Sequence, residues 1–466
     1  MLNELIIIAP EIMLAILAMS MQIFAVFRKK SSNKIANITT LLGTIIALFL
    51  LYCAPRYELT FFQSFVTSPV IALFKSIIMA LTIMSLIIYY DLARIHKERI
   101  KIEFITITLL SSLGVFIAMS ARDFLLLFCG LELQSLSGYA LAAFNIKQVK
   151  SSEAGLKYFV LGALMSCIML MGISFLYGFS GSIRFENIKI LMGGELNIGL
   201  IIGSIFILSA MLFKLSAAPF HIWTPDVYEG APIAAVSYFA TAQKFGMLIV
   251  LITFINGVIG DYNVISNDLI EIVAILSMII GALGAIRQSS LKRLMAYSTI
   301  LNMGYVLVGV SLPSGEGEHA AFVYMLVYVI SSIGLFACLV ALFGKKSDEA
   351  TFEDLKGVAS RRKTLAAVIA IIMFSMIGLP PLAGFIGKYY IFANAILYGK
   401  IKLAIVGLIT SVIAAFYYLK VVKYMYFMEA TEEIQSISTR RGLLVVTAIS
   451  LSFILSFCIF ANNYIG

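Results

Sequence analysis

Charge is what this sequence has least of. Only 13% of its 466 residues are Asp, Glu, Lys or Arg, about half the roughly 25% of an ordinary soluble domain. Apolar residues make up 61%, and mean hydropathy is +1.00. A soluble enzyme, a nucleic-acid binder and a disordered hub are excluded on that ground, although the net charge is +9. Histidine is limited to His96, His221 and His319; His96 falls in a basic loop and His319 in a turn, which argues against haem ligation. Cys53, Cys129, Cys167, Cys338 and Cys458 lie far apart inside apolar runs and form no CxxC. They read as small core residues, not as disulfides or as cluster or zinc ligands. There is no GxxxxGK, HExxH or GxSxG, and no GxGxxG after a strand, so nucleotide binding, zinc proteolysis and serine hydrolysis lack support. The chain is expected to hold no metal or cofactor and to make or break no covalent bond.

What the sequence does have is long apolar runs. A bilayer core about 30 Å thick takes roughly 20 apolar residues per helix. Such runs fall at 5–27, 35–55, 69–90, 103–120, 123–144, 153–179, 198–220, 232–256, 268–286, 291–312, 319–343, 364–398, 402–427 and 441–463. The fold class that follows is an all-α polytopic membrane protein of about 14 spans, because a bilayer leaves each segment to satisfy its own backbone and no strand-length alternation exists to build a barrel. The first run follows Glu4 instead of positive charge and is too long for a signal-peptide core, so it is read as a retained span. Of 34 Lys and Arg, 23 sit in loops after odd-numbered spans, Lys292 and Arg293 among them. The other loops hold six: Arg56, Arg122, Arg184, Lys189, Lys400 and Lys402. Cytoplasmic loops collect positive charge, so both termini are expected on the non-cytoplasmic side. The excess accounts for most of the net charge without an anionic partner.

Five lysines remain inside spans: Lys75, Lys157, Lys214, Lys244 and Lys388. Each costs about 2.5–3.5 kcal/mol at a helix centre by insertion scales, so chance does not explain the set. Lys75 and Lys157 lie near span starts, where snorkelling to the interface competes with burial. Among acidic residues Glu132 is deepest, about ten residues into span 5; Glu11 and Glu271 are nearer span ends and could reach the interface. A carboxylate at that depth pairs or stays protonated, and either a helix-packing contact or an ion path satisfies that alone. Span 7 ends in FKLSAAPFHIWTPDVYEGAP, where Pro219 follows Lys214 and removes a helix hydrogen bond. His221 could equally be an interfacial histidine. Span 12, SMIGLPPLAGFIGKYYIF, places Pro380 and Pro381 before Lys388. Lys244 lies about twelve residues into span 8, with Thr241 and Ser237 on roughly the same face. Interrupted helices handle ions inside bundles. Their positions, spans 7 and 12, predict two inverted five-helix repeats, spans 4–8 and 9–13. The domain reading is 1–102 for spans 1–3, 103–256 and 268–427 for the repeats, and 428–466 for span 14. Lys, Glu and His strung through a membrane point to a proton path.

Several segments carry a resemblance: LELQSLSGYALAAF at 131–144, EAGLKYFVLGA at 153–163, FKLSAAPFHIWTPDVYEGAP at 213–232, the SYFATAQKFG run ending at Gly246, SSLKRLMAYSTILNMGY at 289–305 and GLPPLAGFIGKYYIF at 378–392. They resemble the antiporter-like subunits of respiratory complex I (NADH:quinone oxidoreductase), related to subunits of multisubunit Na⁺/H⁺ antiporters, over essentially the whole chain. HIWTPDVYEGAP looks most like the N type, and Lys388 stands where the M type has Glu. The resemblance implies a proton-translocating subunit in a bacterial inner membrane. Glu132 and Lys214 would be the ion pair that sets proton affinity, Lys244 the central relay, and Lys388 the residue nearest the far exit. Lys157 and His221 would support the first half-channel. NADH, FMN, iron–sulfur clusters and quinone would belong to partner subunits, with a neighbouring antiporter-like subunit and small membrane subunits alongside.

Two rival readings stand beside this one. A subunit of a multisubunit cation/proton antiporter would show sodium-dependent proton exchange without NADH. A structural scaffold would use its buried charges only to staple helices.

Overall fold

The structure, a computed structural model, describes residues 2–27, 33–53, 58–98, 100–194, 197–260, 264–313, 315–429 and 440–460. Arg28, Lys29, Lys30, Arg56 and Arg99 of the basic-loop count lie outside the described residues, as do the side chains of Lys34, Lys345 and Cys458.

Over its described residues, each expected apolar run is helical for most of its length. A short α1 (Leu2–Ile7) precedes α2 (Ala9–Phe27) and α3 (Asn33–Cys53), then a hairpin of β1 (Glu58–Thr60) and β2 (Phe65–Thr67). The hairpin has no counterpart in the expectation from sequence. Next come α4 (Pro69–His96), α5 (Ile102–Ser120), α6 (Phe124–Ala142), α7 (Val149–Ser180), the short α8 (Phe185–Met192) and α9 (Ile198–Leu215). Span 7 is interrupted as expected: α9 stops at Leu215 and the chain resumes helix as α10 (Trp223–Gly230). Span 8 is not a plain helix. It runs α11 (Ile233–Tyr238), a π-helical turn at Phe239–Gln243, α12 (Lys244–Phe254) and a second π-helical turn at Ile255–Ile259. Then follow α13 (Val264–Ile286), α14 (Leu291–Val310), α15 (Glu316–Phe343), a one-turn α16 (Val358–Arg361), α17 (Lys363–Ile377), α18 (Ala383–Leu397), α19 (Ile401–Phe427) and α20 (Arg441–Phe460). The α17–α18 break falls at Pro380 and Pro381.

Among the described residues, ten helical segments are long and apolar enough to cross a membrane, and Thr39–Cys53, Lys363–Ile377 and Arg441–Phe457 are shorter apolar ones. Fourteen crossings result when α14, which carries two basic residues in its first turn, is included and α17 and α18 count as one broken span. The loops agree with that count. Phe65 bridges to Ala121 and Asp123 to Arg184, which joins the loops after spans 2, 4 and 6. Ser290 bridges to Thr351, and Gly357 N–H donates to Tyr424 O, which joins the loops after span 9 and span 11 to the end of span 13. In the first unit even-numbered loops thus meet even, and in the second odd meet odd.

The chain divides into two compact units: residues 1–86, 98–214 and 242–263, and residues 87–97, 215–241 and 264–466. In the first, α5 and α6 touch backbone to backbone. A Cβ on Gly114 would lie 2.5 Å from Gln134 N, and one on Gly130 would lie 2.7 Å from Ala118 N, the close approach that small residues permit between spans. Asp123 starts α6 by accepting from Leu126 N–H at 2.7 Å, which satisfies one of the donors a helix start leaves open. In the second unit, the buried Asp91 at the end of α4 accepts from Leu443 N–H at 3.0 Å at the start of α20.

The sequence leaves the depth of Lys75 and Glu11 open, and the first unit fixes it. Lys75 and Glu11 do not reach the interface: they are 2% and 6% exposed and form an ion pair at 2.5 Å. Lys75 also donates to Ser120 Oγ at 2.7 Å and lies 5.1 Å and 5.6 Å from the Phe65 and Phe116 ring centroids. The pair ties α2 to α4 and to the end of α5. Breaking a buried pair leaves one charge uncompensated and costs about 3–5 kcal/mol, whereas apolar replacement of both partners is often neutral. Lys75→Met should therefore lower the thermal unfolding temperature of the purified protein, and adding Glu11→Leu should restore most of the loss; a double variant as unstable as the single would contradict this account.

Candidate functional site

Apart from the Glu11–Lys75 pair, the first unit brings two half-buried charges, Glu132 and Lys214, to one turn of α6. Lys214, in the last turn of α9, reaches Ser135 Oγ and donates to Leu131 O at 3.4 Å. Ser135 in turn donates to Leu131 O at 2.7 Å. Glu132 lies on the same turn, but its carboxylate faces α7 and accepts from Ser166 Oγ at 2.5 Å. Glu132 and Lys214 are close enough to act on one another through space, yet no direct ion pair joins them. A hydroxyl one turn along the helix takes the ammonium instead.

Lys244 is 1% exposed and donates to the main-chain carbonyl of Lys214 at 2.6 Å. That carbonyl belongs to the last turn of α9, where the break leaves backbone acceptors without helical donors. The negative end of the helix dipole adds to the attraction. The π-helical turn at Phe239–Gln243 sits immediately before Lys244; such turns recur at functional sites, and nothing in the sequence announced it. Thr241 and Ser237 donate back to Ser237 O at 2.6 Å and Ala234 O at 2.8 Å, so both hydroxyls serve their own helix. Gln134 Oε1 and Gln243 Nε2 are buried without a partner, polar atoms that sequence reasoning passed over.

The second unit repeats the arrangement at its own break. Lys388, 6% exposed, donates to Met376 O and Ile377 O at 2.9 Å each, and to Ser411 Oγ at 2.9 Å. Both carbonyls end α17. Lys292, counted above as a loop residue, is 2% exposed and donates to Ala231 O at 2.8 Å, just past the end of α10, with Asp348 Oδ1 at 3.5 Å. Beside it Arg293 pairs with Asp226 and Glu229 at 2.9 Å each. These contacts were missed because Lys292 and Arg293 fall at a polar break between apolar runs, where charge reads as solvated.

Two expected members are not in this buried set. Lys157 has a side chain 42% exposed and pairs with Glu153, one turn back on α7, at 2.7 Å. Its spacing of four from a carboxylate makes a surface pair the local solution. His221 lies in the stretch between α9 and α10, within the second unit, half-buried, with Nδ1 lacking a hydrogen-bond partner. Among the described residues, no group of three His, Cys, Asp or Glu is placed to hold a metal ion.

The model of the family described as NADH:quinone oxidoreductase/Mrp antiporter, transmembrane region, matches residues 121–414. The chain is 51% identical to NADH-quinone oxidoreductase subunit N of Rickettsia felis, over 97% of this chain and 98% of that one. The chain belongs to the subunit N family of NADH:quinone oxidoreductase. Subunit N of Rhodospirillum rubrum is 39% identical over 94% of this chain and 91% of its own. A chain of respiratory complex I from Thermus thermophilus with bound aureothin superposes with a TM-score of 0.81 at 26% identity, covering 98% of both. A chain of the Mrp complex from Dietzia superposes with a TM-score of 0.83 at 18% identity, covering 100% of this chain and 96% of that one, a likeness of fold alone.

The matched stretch of this N-type subunit takes in Glu132, Lys214, Lys244, Lys388 and both helix breaks, and leaves out the Glu11–Lys75 pair. The second break depends on a glycine. A Cβ on Gly384 would fall 1.7 Å from Ser375 O, so α18 can approach the end of α17 only without a side chain there. Gly384→Ala is expected to push the half-helices apart and strip Lys388 of its carbonyl acceptors, lowering NADH-driven proton uptake in membrane vesicles severalfold; unchanged uptake would show that the junction tolerates a looser fit.

Proposed function

We propose that this chain moves protons across a bacterial inner membrane as a subunit of NADH:quinone oxidoreductase, through a buried Glu/Lys relay. The observation that carries the reading is the recurrence of one arrangement: in each unit a lysine buried to within a few per cent is docked on the carbonyl end of an interrupted helix. A staple needs no break, whereas a group that must gain and lose a proton needs acceptors that tolerate both forms. An ammonium has three donors, and the neutral amine still donates to the same carbonyls.

In this reading Glu132 and Lys214 set the proton affinity at the entry of the first half. A carboxylate near the ammonium favours its charged state, and apolar burial opposes it. Weakening the Glu132 influence would release a proton from Lys214 toward Lys244, and restoring it would reload Lys214 from the cytoplasm. Lys388 is the corresponding station of the second half. Spans 4–8, from α5 to α12, and 9–13, from α13 to α19, would be the two inverted repeats, with both termini facing away from the cytoplasm. Moving one charge against the membrane potential costs about 2.3 kcal/mol per 100 mV. That energy would come from electron transfer in partner subunits that hold NADH, FMN, iron–sulfur clusters and quinone. A neighbouring antiporter-like subunit and small membrane subunits would complete the assembly. A cation/proton antiporter subunit is the second reading, and relatives of 39–51% identity over nearly the whole chain, all named subunit N, favour the first.

Lys214→Ala and Glu132→Ala should leave assembly intact but depress NADH-driven quinone reduction and proton uptake together, Lys214→Ala the more severely. Wild-type uptake in both variants would be incompatible with the relay. Replacing Glu132 and Lys214 together by Leu and Met separates carrier from staple: a staple can be exchanged for apolar packing, so recovery of pumping in the double variant would mean the charges only hold helices.

A further inference from the structure

Two side-chain amides in the first unit each bury a polar atom that has no hydrogen-bond partner in the chain. Gln134, on α6, and Gln243, the last residue of the π-helical turn before Lys244, are 2% and 3% exposed. The atoms concerned are Gln134 Oε1 and Gln243 Nε2. The first is an acceptor and the second a donor, yet they do not bond to each other. Burying a polar group without a partner is costly, and each such group asks for an explanation.

Packing brings the two amides to one seam. Gly246, one turn after Gln243, lies against α5, where a Cβ on it would fall 2.2 Å from Val115 Cγ1. Ser111, one turn before Val115, donates to Gln134 O at 3.3 Å. Gly138 follows Gln134 by one turn on the same face of α6. A Cβ on Gly138 would lie 3.3 Å from Gln243 Nε2 and 3.7 Å from Tyr158 Oη of α7, so the missing side chain keeps a small space open beside both. The same segments hold two lysines of the relay. Ser135, next to Gln134, takes the Lys214 ammonium, and Lys244, next to Gln243, donates to Lys214 O at 2.6 Å. Lys214 Nζ, Ser135 and Gln134 thus make one arm, and Lys214 O, Lys244 and Gln243 the other, of a ring that lacks only its closure between the amides.

We propose that one buried water, held between Gln134 Oε1 and Gln243 Nε2 beside Gly138, closes this ring and fixes Lys214 and Lys244 in register, which makes both glutamines positioning residues. This rests on the reading of Lys214 and Lys244 as proton carriers. A water donates and accepts at once, and a buried one makes about three hydrogen bonds. It takes the Gln243 hydrogen, gives one to Gln134 and has another for Tyr158 Oη. An amide carries no charge in either role, so the closure persists when a lysine gains or loses its proton. A carboxylate in either place would bind one protonation state of the lysines more tightly than the other, and the amides avoid that bias.

A cryo-electron density map of the whole complex, fine enough to show ordered water, tests the site without any substitution. It should hold one water within hydrogen-bond reach of Gln134 Oε1 and Gln243 Nε2; a dry seam, or the two amides in direct contact, would overturn the proposal. The role is read in inside-out vesicles carrying the whole complex, by NADH-driven proton uptake. Gln134→Met and Gln243→Met keep side-chain length and remove the amide; each should lower uptake severalfold and move its pH profile with the complex fully assembled. The double variant should be no slower than the worse single, because either change already opens the ring. Gly138→Ala, which leaves every polar group in place and takes only the space, should show the same loss and the same movement of the profile. Losses that multiply in the double variant, or that are equal at every pH, would mean two separate packing roles and overturn the ring. Wild-type uptake in all three single variants while Lys244→Met is inactive would overturn it too. Wild-type uptake in Lys244→Met would instead remove the relay reading on which the ring depends.

Discussion

A helix interrupted inside a bilayer leaves carbonyl oxygens with no backbone donor and no bulk water to replace one. A buried ammonium has the opposite need, hydrogens without acceptors. In this protein the two problems solve each other. Lys244 takes the end of α9 through Lys214 O, Lys388 takes the end of α17 through Met376 O and Ile377 O, and Lys292 takes the carbonyl just beyond α10. Each of these carbonyls is neutral, so its geometry does not depend on the lysine being charged; Lys292 also has a carboxylate, Asp348, at 3.5 Å. The Glu11–Lys75 pair differs in kind. There a carboxylate faces an ammonium directly at 2.5 Å, and either partner losing its charge would leave the other stranded. A carbonyl-docked lysine is suited to changing protonation state, and a carboxylate-locked one to staying put.

The turn of α6 between Leu131 and Ser135 adds a refinement. Had Glu132 and Lys214 met directly, the pair would resemble Glu11 and Lys75 and hold its proton firmly. Ser135 stands between the two roles instead: it takes the ammonium, while Ser166 on α7 occupies the carboxylate. Electrostatic influence without contact is weaker and more easily altered, because a small rotation of either hydroxyl changes the separation without breaking a desolvated salt bridge. The resemblance implies that Glu132 and Lys214 act as a pair without saying whether they touch; here they do not, and the physical reason is the hydroxyl placed one turn along the same helix.

Much of this was legible before any coordinates. Apolar run lengths located the spans, and Pro219 and Pro380–Pro381 marked the breaks, since each of these effects is local in sequence. What escaped is what depends on distance or depth. The depth of Lys75 stayed open because its carboxylate lies 64 positions earlier, in another helix. Lys292 looked solvated because it follows a polar break, yet α14 is buried from its first turn. The π-helical turn before Lys244 has no residue signature of its own. Lys157 was the reverse case: Glu153, four residues before it, already offered a surface partner, and depth was overweighted against that spacing.

The contacts around α10 and around the break that precedes it differ in kind. Arg293 binds Asp226 and Glu229 at one end of α14, Lys292 binds Ala231 O, and Asp348 accepts from Ile233 N–H at 2.7 Å while lying 3.5 Å from Lys292. Five charged side chains and two backbone groups thus meet along α10 and at the first turn of α11. Ala218 N–H within the break donates to Ser277 Oγ at 2.7 Å, a single neutral bond worth about 1 kcal/mol net. Across the break Thr224 Oγ1 also donates to Ser216 Oγ at 2.7 Å, so this stretch is held by neutral hydrogen bonds and α10 by charged ones, which lose strength differently as their surroundings change.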